Sequence, residues 1–389
     1  MKFWHVVLIS CSILLQACFL KGNKEDVNRF PNSINIELEA LTFPKSAVLN
    51  QKSYYLSDTY DSDTASFLIG YNYQLHQLDC FNLSDLSSYS VRLENDGPNR
   101  ILRPYGMYVQ NMDSIWMYDE SGTVSLVNKL GEVIYNVKLR EWLEKNEEPK
   151  IETNYAISTA TFHYDNENQS LLFVVKDRDY TPAKFKVKEV FFHRKEAAKE
   201  YFLEFPDGIS DICNGDYGNM DAPNVTFANN KIIYNYPISS DFFVIDYATG
   251  NTKKYKAPSV FSKNKVDKLK KLEDYAEWEK HAITNPHFYE LIHLADASVY
   301  IRLHVGEQAI DASKSVLEQF DSRSLFLMCW DDDFNYLGEV QLASNRYSLY
   351  TGWIGTDKHL IIYVDNSLLD SAIVNSENLI IDRVLFKKQ

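Results

Sequence analysis

The stretch from Val225 to Tyr255 reads VTFANNKIIYNYPISSDFFVIDYATGNTKKY and decides the fold. It divides into four short runs rich in β-branched and aromatic residues, which favour strands. Each break between the runs contains the Asn, Gly, Pro, Ser or Asp that tight turns require. The breaks are Ala228 to Asn230, Pro237 to Asp241 and Ala248 to Asn251. A meander of four strands over about thirty residues is typical of one blade of a β-propeller.

Looser copies of the same rhythm lie on both sides of this stretch. They cover Tyr54 to Leu93, Tyr105 to Leu139, Ala156 to Phe205 and Phe288 to Leu342. Weak self-similarity at a steady period indicates a repeat architecture. Together with the first stretch, these segments predict five blades.

The final segment, Tyr347 to Phe386, contains only three strand-like runs. A blade that lacks one strand leaves an exposed edge. In Ile34 to Leu41 the apolar residues alternate with polar ones in the period of a half-buried strand, and the predicted buried face consists of Ile34, Ile36, Leu38 and Ala40. We therefore predict that this strand pairs with Leu379 to Phe386 as the outer strand of the last blade. The predicted fold is all-β, a closed ring of six antiparallel blades with four strands each.

A single propeller domain is predicted for residues 33–389, with a helical insertion at about 265–283. Among many charged residues, one face of this helix carries the apolar residues Val266, Leu269, Leu272, Ala276 and Ile283. The helix either covers the side of a sheet or forms a lid over the channel mouth.

The composition is acidic and rich in aromatic residues. The net charge of the 389-residue chain is −14, and 14% of its residues are aromatic. An acidic surface repels phosphate backbones, so nucleic acid is excluded as a partner. Aromatic side chains favour strands because their rings pack well on a pleated surface.

The amino terminus has the features of an export signal. Lys2 precedes an apolar run from Val6 to Leu15 that is too short to span a bilayer. Leu15 to Cys18 resembles the lipobox of bacterial lipoproteins, which implies cleavage after residue 17 and acylation of Cys18, for example with palmitate. Residues 18–32 then form a flexible tether. The alternatives are an ordinary secretory signal and an uncleaved anchor.

The predicted location is the bacterial cell envelope, with Cys18 anchored in the outer membrane. Lys24 to Asp26 resembles a signal that sends some lipoproteins of Bacteroidota to the outer cell face, although it lies farther from the cysteine than is usual. Both a surface-exposed and a periplasmic orientation remain open.

Three short motifs indicate a family. They are Leu93 to Asn99 at the first seam between blades, Asp113 to Trp116 at the start of a strand, and Val299 to Leu303 in the fifth repeat. With the lipobox, they resemble the Bacteroidota lipoproteins grouped as domain of unknown function 4221. That resemblance implies a six-bladed propeller and a membrane anchor, and it implies no activity.

Five residues are candidates for ligand binding. Asn95, Asp96 and Asn99 place polar groups in a sharp turn, where they either face the channel mouth or only shape the turn. Asp216 lies in a similar loop. Arg302 lies inside a predicted strand, where it either binds an anion in the channel or stabilises the blade through a carboxylate.

No cofactor or metal is predicted. The histidines are scattered, and neither a metalloprotease nor a serine hydrolase motif is present in the sequence. The run Asp331 to Asp333 is predicted to be a hairpin turn and not a calcium loop. Cys80, Cys213 and Cys329 form no recognisable disulfide framework, although one pair can form in an oxidising compartment.

Two functions from different classes suit these features. The first is a membrane-tethered binding propeller for a glycan, a peptide or an envelope protein. The alternative is an envelope hydrolase or lyase that acts on carbohydrate at the channel. Carboxylates with strongly shifted pKa values in the channel would favour the enzyme, and an apolar or Tyr-lined channel would favour the binding protein. A structural scaffold is the third option.

Overall fold

The computed structural model describes residues 34–46, 51–154, 157–180, 183–194, 198–206, 217, 220–269, 274–369 and 378–388. These residues form six sheets that are arranged as the blades of a propeller around a central channel. The all-β class and the six blades predicted from the sequence are confirmed. Strand β1 (Ile34–Phe43) comes first in the chain and belongs to the last blade.

Blades 1 and 2 are regular four-stranded meanders. Blade 1 contains β2 (Ser57–Asp61), β3 (Ser66–Asn72), β4 (Gln77–Asn82) and β5 (Ser88–Arg92). Blade 2 contains β6 (Pro104–Asn111), β7 (Ser114–Asp119), β8 (Thr123–Val127) and β9 (Val133–Lys138). In each blade the first strand lies nearest the channel.

A hairpin from the chain segment of blade 3 is added to blade 4, so these blades have five and six strands where the sequence predicts four in each. Blade 3 contains β10 (Glu147–Pro149), β13 (His163–Asp165), β14 (Ser170–Asp177), β15 (Lys184–Val190) and β16 (Lys199–Leu203). Blade 4 contains β11 (Glu152–Asn154), β12 (Ser158–Ala160), β17 (Asn224–Ala228), β18 (Lys231–Asn235), β19 (Phe242–Asp246) and β20 (Thr252–Tyr255). The chain therefore leaves blade 3 after β10, adds a short hairpin to the inner edge of blade 4, and returns.

Blades 5 and 6 complete the ring. Blade 5 contains β21 (His287–Leu294), β22 (Val299–Val305), β23 (Leu325–Asp331) and β24 (Tyr336–Gln341). Blade 6 contains β25 (Trp353–Gly355), β26 (His359–Tyr363), β27 (Leu379–Lys388) and β1. Apolar side chains fill the seams between blades, as where Tyr289 of blade 5 packs against Trp353 of blade 6 with ring centroids 4.6 Å apart.

Strand β1 closes the ring as the sequence predicts. It pairs antiparallel with β27 from Ile34 opposite Lys388 to Phe43 opposite Leu379. The predicted buried face is only partly right: Leu38 is 42% exposed, whereas Phe43 is 1% exposed and packs against Phe81 of blade 1. The end of β1 therefore turns its apolar side chains toward the neighbouring blade.

Helices are short and lie in the connections. A 3₁₀ helix covers Leu139–Trp142, α1 covers Tyr275–Thr284 and α2 covers Val316–Asp321. Helix α1 begins later than the sequence predicts because the Asp274 side chain caps it, accepting hydrogen bonds from the Ala276 and Glu277 N–H groups. Among the described helices, none has the length and apolar character needed to cross a membrane.

Candidate functional site

A cavity of about 360 Å³ occupies the central channel. The innermost strand of every blade contributes to its lining, with Asp58 from β2, Tyr108 from β6, His163 from β13, Phe227 from β17, Glu290 from β21 and Gly355 from β25. Thr159 of β12 also lines it, because the inserted hairpin lies at the inner edge of blade 4. A concave site with convergent polar groups is the usual form of a ligand site.

Two carboxyl groups in this cavity have raised pKa values. Burial raises the pKa of Asp58 to about 7, even though its carboxylate accepts hydrogen bonds from the Val109 N–H at 2.6 Å and the Thr59 N–H at 2.8 Å. Burial also raises the pKa of Glu290 to about 7, and Glu290 Oε1 accepts a hydrogen bond from Trp353 Nε1 at 3.1 Å. Removal from water disfavours the charged form in both cases. Near neutral pH each carboxyl group can therefore either donate or accept a proton.

Two buried polar atoms beside the cavity lack a well-formed hydrogen bond. Glu290 is 6% exposed and Thr159 is 2% exposed. Neither Glu290 Oε2 nor Thr159 Oγ1 has a well-formed hydrogen bond to a described residue. The Thr159 side chain interacts with the Glu290 carboxyl group only weakly, which lowers the pKa of Glu290 against the larger, opposite effect of burial. A buried polar group without a partner is costly, so these atoms are suited to bind a group that enters the channel.

A row of three rings crosses one side of the channel. The His163 imidazole lies between the Tyr108 ring, at a centroid distance of 4.7 Å, and the Phe227 ring, at 5.7 Å. Burial lowers the pKa of His163 to about 4, so its imidazole is neutral at physiological pH. The row joins blades 2, 3 and 4 and presents flat apolar surface to the cavity.

Polar groups lie along the side of the cavity formed by blades 4, 5 and 6. His293 Nε2 lies 3.1 Å from Asn229 Nδ2 and 3.0 Å from Asp332 Oδ1. Asp357 also lines the cavity, and burial together with the nearby carboxylates of Asp61 and Asp296 raises its pKa. The described lining residues include no Lys or Arg. The cavity therefore favours neutral or cationic ligands over anions.

The first seam predicted from the sequence lies away from this cavity. Asn95 and Asp96 are exposed, and Gly97 has a φ of +80°, which glycine adopts readily. Asn99 Oδ1 accepts a hydrogen bond from the N–H of Val133, the first residue of the outer strand β9. The turn thus joins blade 1 to the outer part of blade 2, and none of the three polar residues lines the channel cavity.

Arg302 is fully buried in β22, the second strand of blade 5. Arg302 Nη1 donates to the Ser240 carbonyl at 2.7 Å, and the guanidinium lies 5.1 Å from the Phe288 ring and 5.2 Å from the Trp330 ring. Burial lowers its pKa to about 9. Arg302 therefore connects blades 5 and 4 through a backbone carbonyl, and it does not line the channel cavity.

The other sequence-derived residues give no ligand set. Asp216 and Cys213 lie outside the described residues. Cys80 and Cys329 are buried free thiols on blades 1 and 5. Within the described part of the chain, no group of three His, Cys, Asp or Glu side chains is placed to hold a metal ion. The Asp331 carboxylate accepts hydrogen bonds from the N–H groups of Asp333 and Asn335, as expected for the predicted turn.

The channel residues leave only a weak signal in the sequence. Glu290 is the one acid in the otherwise apolar and aromatic strand HFYELIHL, and Asp58 stands in the first strand of its blade. An acid in an inner strand is conspicuous only after the inner strands are known. The sequence instead points to polar turns, because turns concentrate Asn, Asp and Gly for reasons of backbone geometry alone.

Comparison with known proteins identifies the family. The family model described as Domain of unknown function (DUF4221) matches residues 33–341. The chain belongs to the DUF4221 family. The resemblance noted in the sequence is thereby confirmed.

Solved structures agree with membership of the DUF4221 family. A family member from Bacteroides vulgatus is 16% identical with a TM-score of 0.66, and the match covers 92% of this chain and 99% of that one. A proposed exported protein from Bacteroides fragilis is 12% identical with a TM-score of 0.53, covering 93% and 98%. At these identities the likeness concerns the fold alone. A comparison with curated proteins found no match.

Proposed function

We propose that this DUF4221 protein is a lipid-anchored envelope protein that binds a glycan in the central channel of its propeller. The lipobox at Cys18 supports the anchor. The main support for a binding site in the channel is a pair of buried atoms, Glu290 Oε2 and Thr159 Oγ1, that have no well-formed hydrogen bond to a described residue. Both lie beside a cavity of about 360 Å³. Sugar hydroxyl groups both donate and accept hydrogen bonds, so one hydroxyl can satisfy either atom.

The remaining lining favours a glycan over a peptide or an anionic ligand. The Tyr108, His163 and Phe227 rings offer flat surfaces on which a sugar ring packs. Carboxyl, amide and hydroxyl groups surround them, and the described lining has no Lys or Arg for a phosphate or a carboxylate. The cavity volume lies at the small end of the range for ligand sites, roughly 300–1,000 Å³.

Glycan and peptide arrays test this proposal. The probe is protein that lacks residues 1–17 and carries Cys18→Ser, and calorimetry then measures the affinity of each array hit. Glu290→Leu and Thr159→Val should each weaken binding by about tenfold or more, because each removes a buried hydrogen-bonding group worth about 1–3 kcal/mol. Glu120→Leu, at an exposed position outside the lining, is the matched control. The proposal would be refuted if the protein bound nothing on either array, or if the two channel variants bound with unchanged affinity.

An envelope hydrolase or lyase acting on carbohydrate is the second candidate function. Binding is proposed first because both functions require a glycan in the channel. Asp58 and Glu290, both in the channel lining and both with a pKa raised to about 7, are the shifted carboxyl groups expected of an enzyme channel. Such groups are suited to general acid and base catalysis near neutral pH. Mass spectrometry of a bound glycan after incubation should then detect cleavage, which Asp58→Asn and Glu290→Gln should each abolish. If the glycan is still intact after prolonged incubation with the wild-type protein, the hydrolase or lyase hypothesis is excluded and the binding hypothesis is retained.

A further inference from the structure

A second cavity, of about 400 Å³, lies beside the channel cavity between blades 3 and 4. The two cavities share four lining residues, namely His163, Phe227, Ala228 and Asn229. We call the second cavity the blade 3–4 groove. Because the two cavities share these residues, they are adjacent, and an extended ligand can contact both.

Two hairpin turns from adjacent blades form the sides of the groove. On blade 4, Asn229 and Asn230 have φ values of +49° and +54° and join β17 to β18 in a tight turn. Asn230 is exposed in the groove, whereas the Asn229 amide faces the channel side and contacts His293. On blade 3, the turn from β13 to β14 presents the exposed Glu167.

Aromatic rings continue from the channel into the groove. The ring row ends at Phe227, which lines both cavities, and Tyr247 lies farther along in the groove. The hydroxyl of Tyr247 donates to Glu189, which fixes the orientation of its ring. The groove thus repeats the chemistry of the channel, with flat rings among amide and carboxyl groups and a single described cation, Lys231.

We infer that the ligand is a linear oligosaccharide of two or more units, with one unit in the channel and the next in the blade 3–4 groove. This inference rests on the proposed glycan function and defines the ligand class more closely. A single sugar would contact only the channel. Each further unit in the groove adds ring stacking and hydrogen bonds that a monosaccharide cannot make.

Affinity as a function of chain length tests the inference. The probes are one to four units of β-1,4-linked glucose, α-1,4-linked glucose and β-1,4-linked N-acetylglucosamine, measured by calorimetry. We expect at least one series to gain tenfold or more in affinity between one and three units. The double variant Asn230→Gly and Glu167→Ala should reduce that gain to less than threefold while leaving the affinity of the single unit unchanged.

Asn345→Gly is the matched control. Asn345 is exposed and has a φ of +54°, so the substitution removes the same side chain from the same backbone conformation at a distance from both cavities. Equal affinity for one and three units in every series would overturn the inference and leave the channel proposal standing. A gain that the double variant retains would also overturn it. Absence of binding for every sugar would overturn the channel proposal and this inference together.

Discussion

At the scale of single residues, the two carboxyl oxygens of Glu290 differ in their hydrogen bonding. Trp353 holds Oε1, while Oε2 has no well-formed hydrogen bond to a described residue. Burial raises the pKa of Glu290 from 4.5 to about 7, so the folded protein binds this proton more tightly than the unfolded chain does. The stability that this site contributes is therefore present at low pH and declines between about pH 4.5 and 7.

Glu290→Gln should flatten this pH dependence. Glutamine keeps the shape of the side chain and cannot ionise, so the free energy of unfolding should fall less between pH 5 and pH 8 in the variant, by on the order of 3 kcal/mol. Urea unfolding at the two pH values measures the difference, with Glu120→Gln as the exposed control. Parallel pH profiles of variant and wild type would contradict the raised pKa.

Arg302→Leu should weaken the fold without affecting ligand binding. The substitution leaves the buried Ser240 carbonyl without its donor and removes the cation from between Phe288 and Trp330. We expect a loss of about 2–4 kcal/mol in the free energy of unfolding. Glycan affinity should stay within twofold of wild type, because Arg302 does not line the channel. Unchanged stability would exclude a structural role, and lost affinity in a folded variant would restore the anion-site hypothesis.

The sequence predicts some of these buried polar residues but not the contacts that they make. Arg302 is conspicuous because a charge inside a predicted strand needs a partner, but the pattern cannot show that the partner is a carbonyl on another blade. Thr159 gives no signal at all. It reaches the channel because a short hairpin crosses from blade 3 to blade 4, and that crossing depends on contacts between segments distant in sequence.

At the scale of elements, the strand rhythm predicts most of the fold. The meander of β17 to β20 matches the runs expected from Val225 to Tyr255, because turn residues mark every break. The hairpin of β11 and β12 is missed because its strands have three residues each and carry no clear alternation. The connection after blade 2 contains a 3₁₀ turn, followed by β10.

Strand β1 should stabilise the ring mainly through its last residues. Phe43→Ala removes a ring that is 1% exposed and packs 5.0 Å from Phe81 of blade 1, so we expect a loss of about 3–5 kcal/mol in the free energy of unfolding. Leu38→Ala, on the same strand but 42% exposed, should cost under about 1 kcal/mol. Equal losses in the two variants, measured by urea unfolding, would show that β1 does not join blade 6 to blade 1 through Phe43.

At the scale of the whole molecule, the described chain enters the propeller at the rim of the ring. Residue 34 begins the outer strand of blade 6, so a tether from Cys18 would reach the propeller at its edge and not at its axis. In that arrangement the net charge of −14 would repel anionic lipid headgroups.

Cys18→Ser should release the protein from the membrane fraction. The wild-type protein should begin at Cys18 and carry fatty acid, as detected by mass spectrometry of the amino-terminal peptide. Cys11→Ser, which changes a cysteine inside the predicted signal, should leave the anchor intact. A mature protein with unmodified Cys18 would indicate an ordinary secretory signal, and a Cys18→Ser protein that stays in the membrane would indicate an uncleaved signal.

The pairing of β1 with β27 also determines when the protein can finish folding. Glu39 and Arg383, which form an ion pair between these strands, are 344 residues apart in the chain. Closing a loop of that length costs on the order of 5 kcal/mol in chain entropy, so the last blade should form late and slowly. Strand β1 is synthesised before β27 and cannot pair with it until β27 has been made. The ring of a newly made chain therefore stays open until that point.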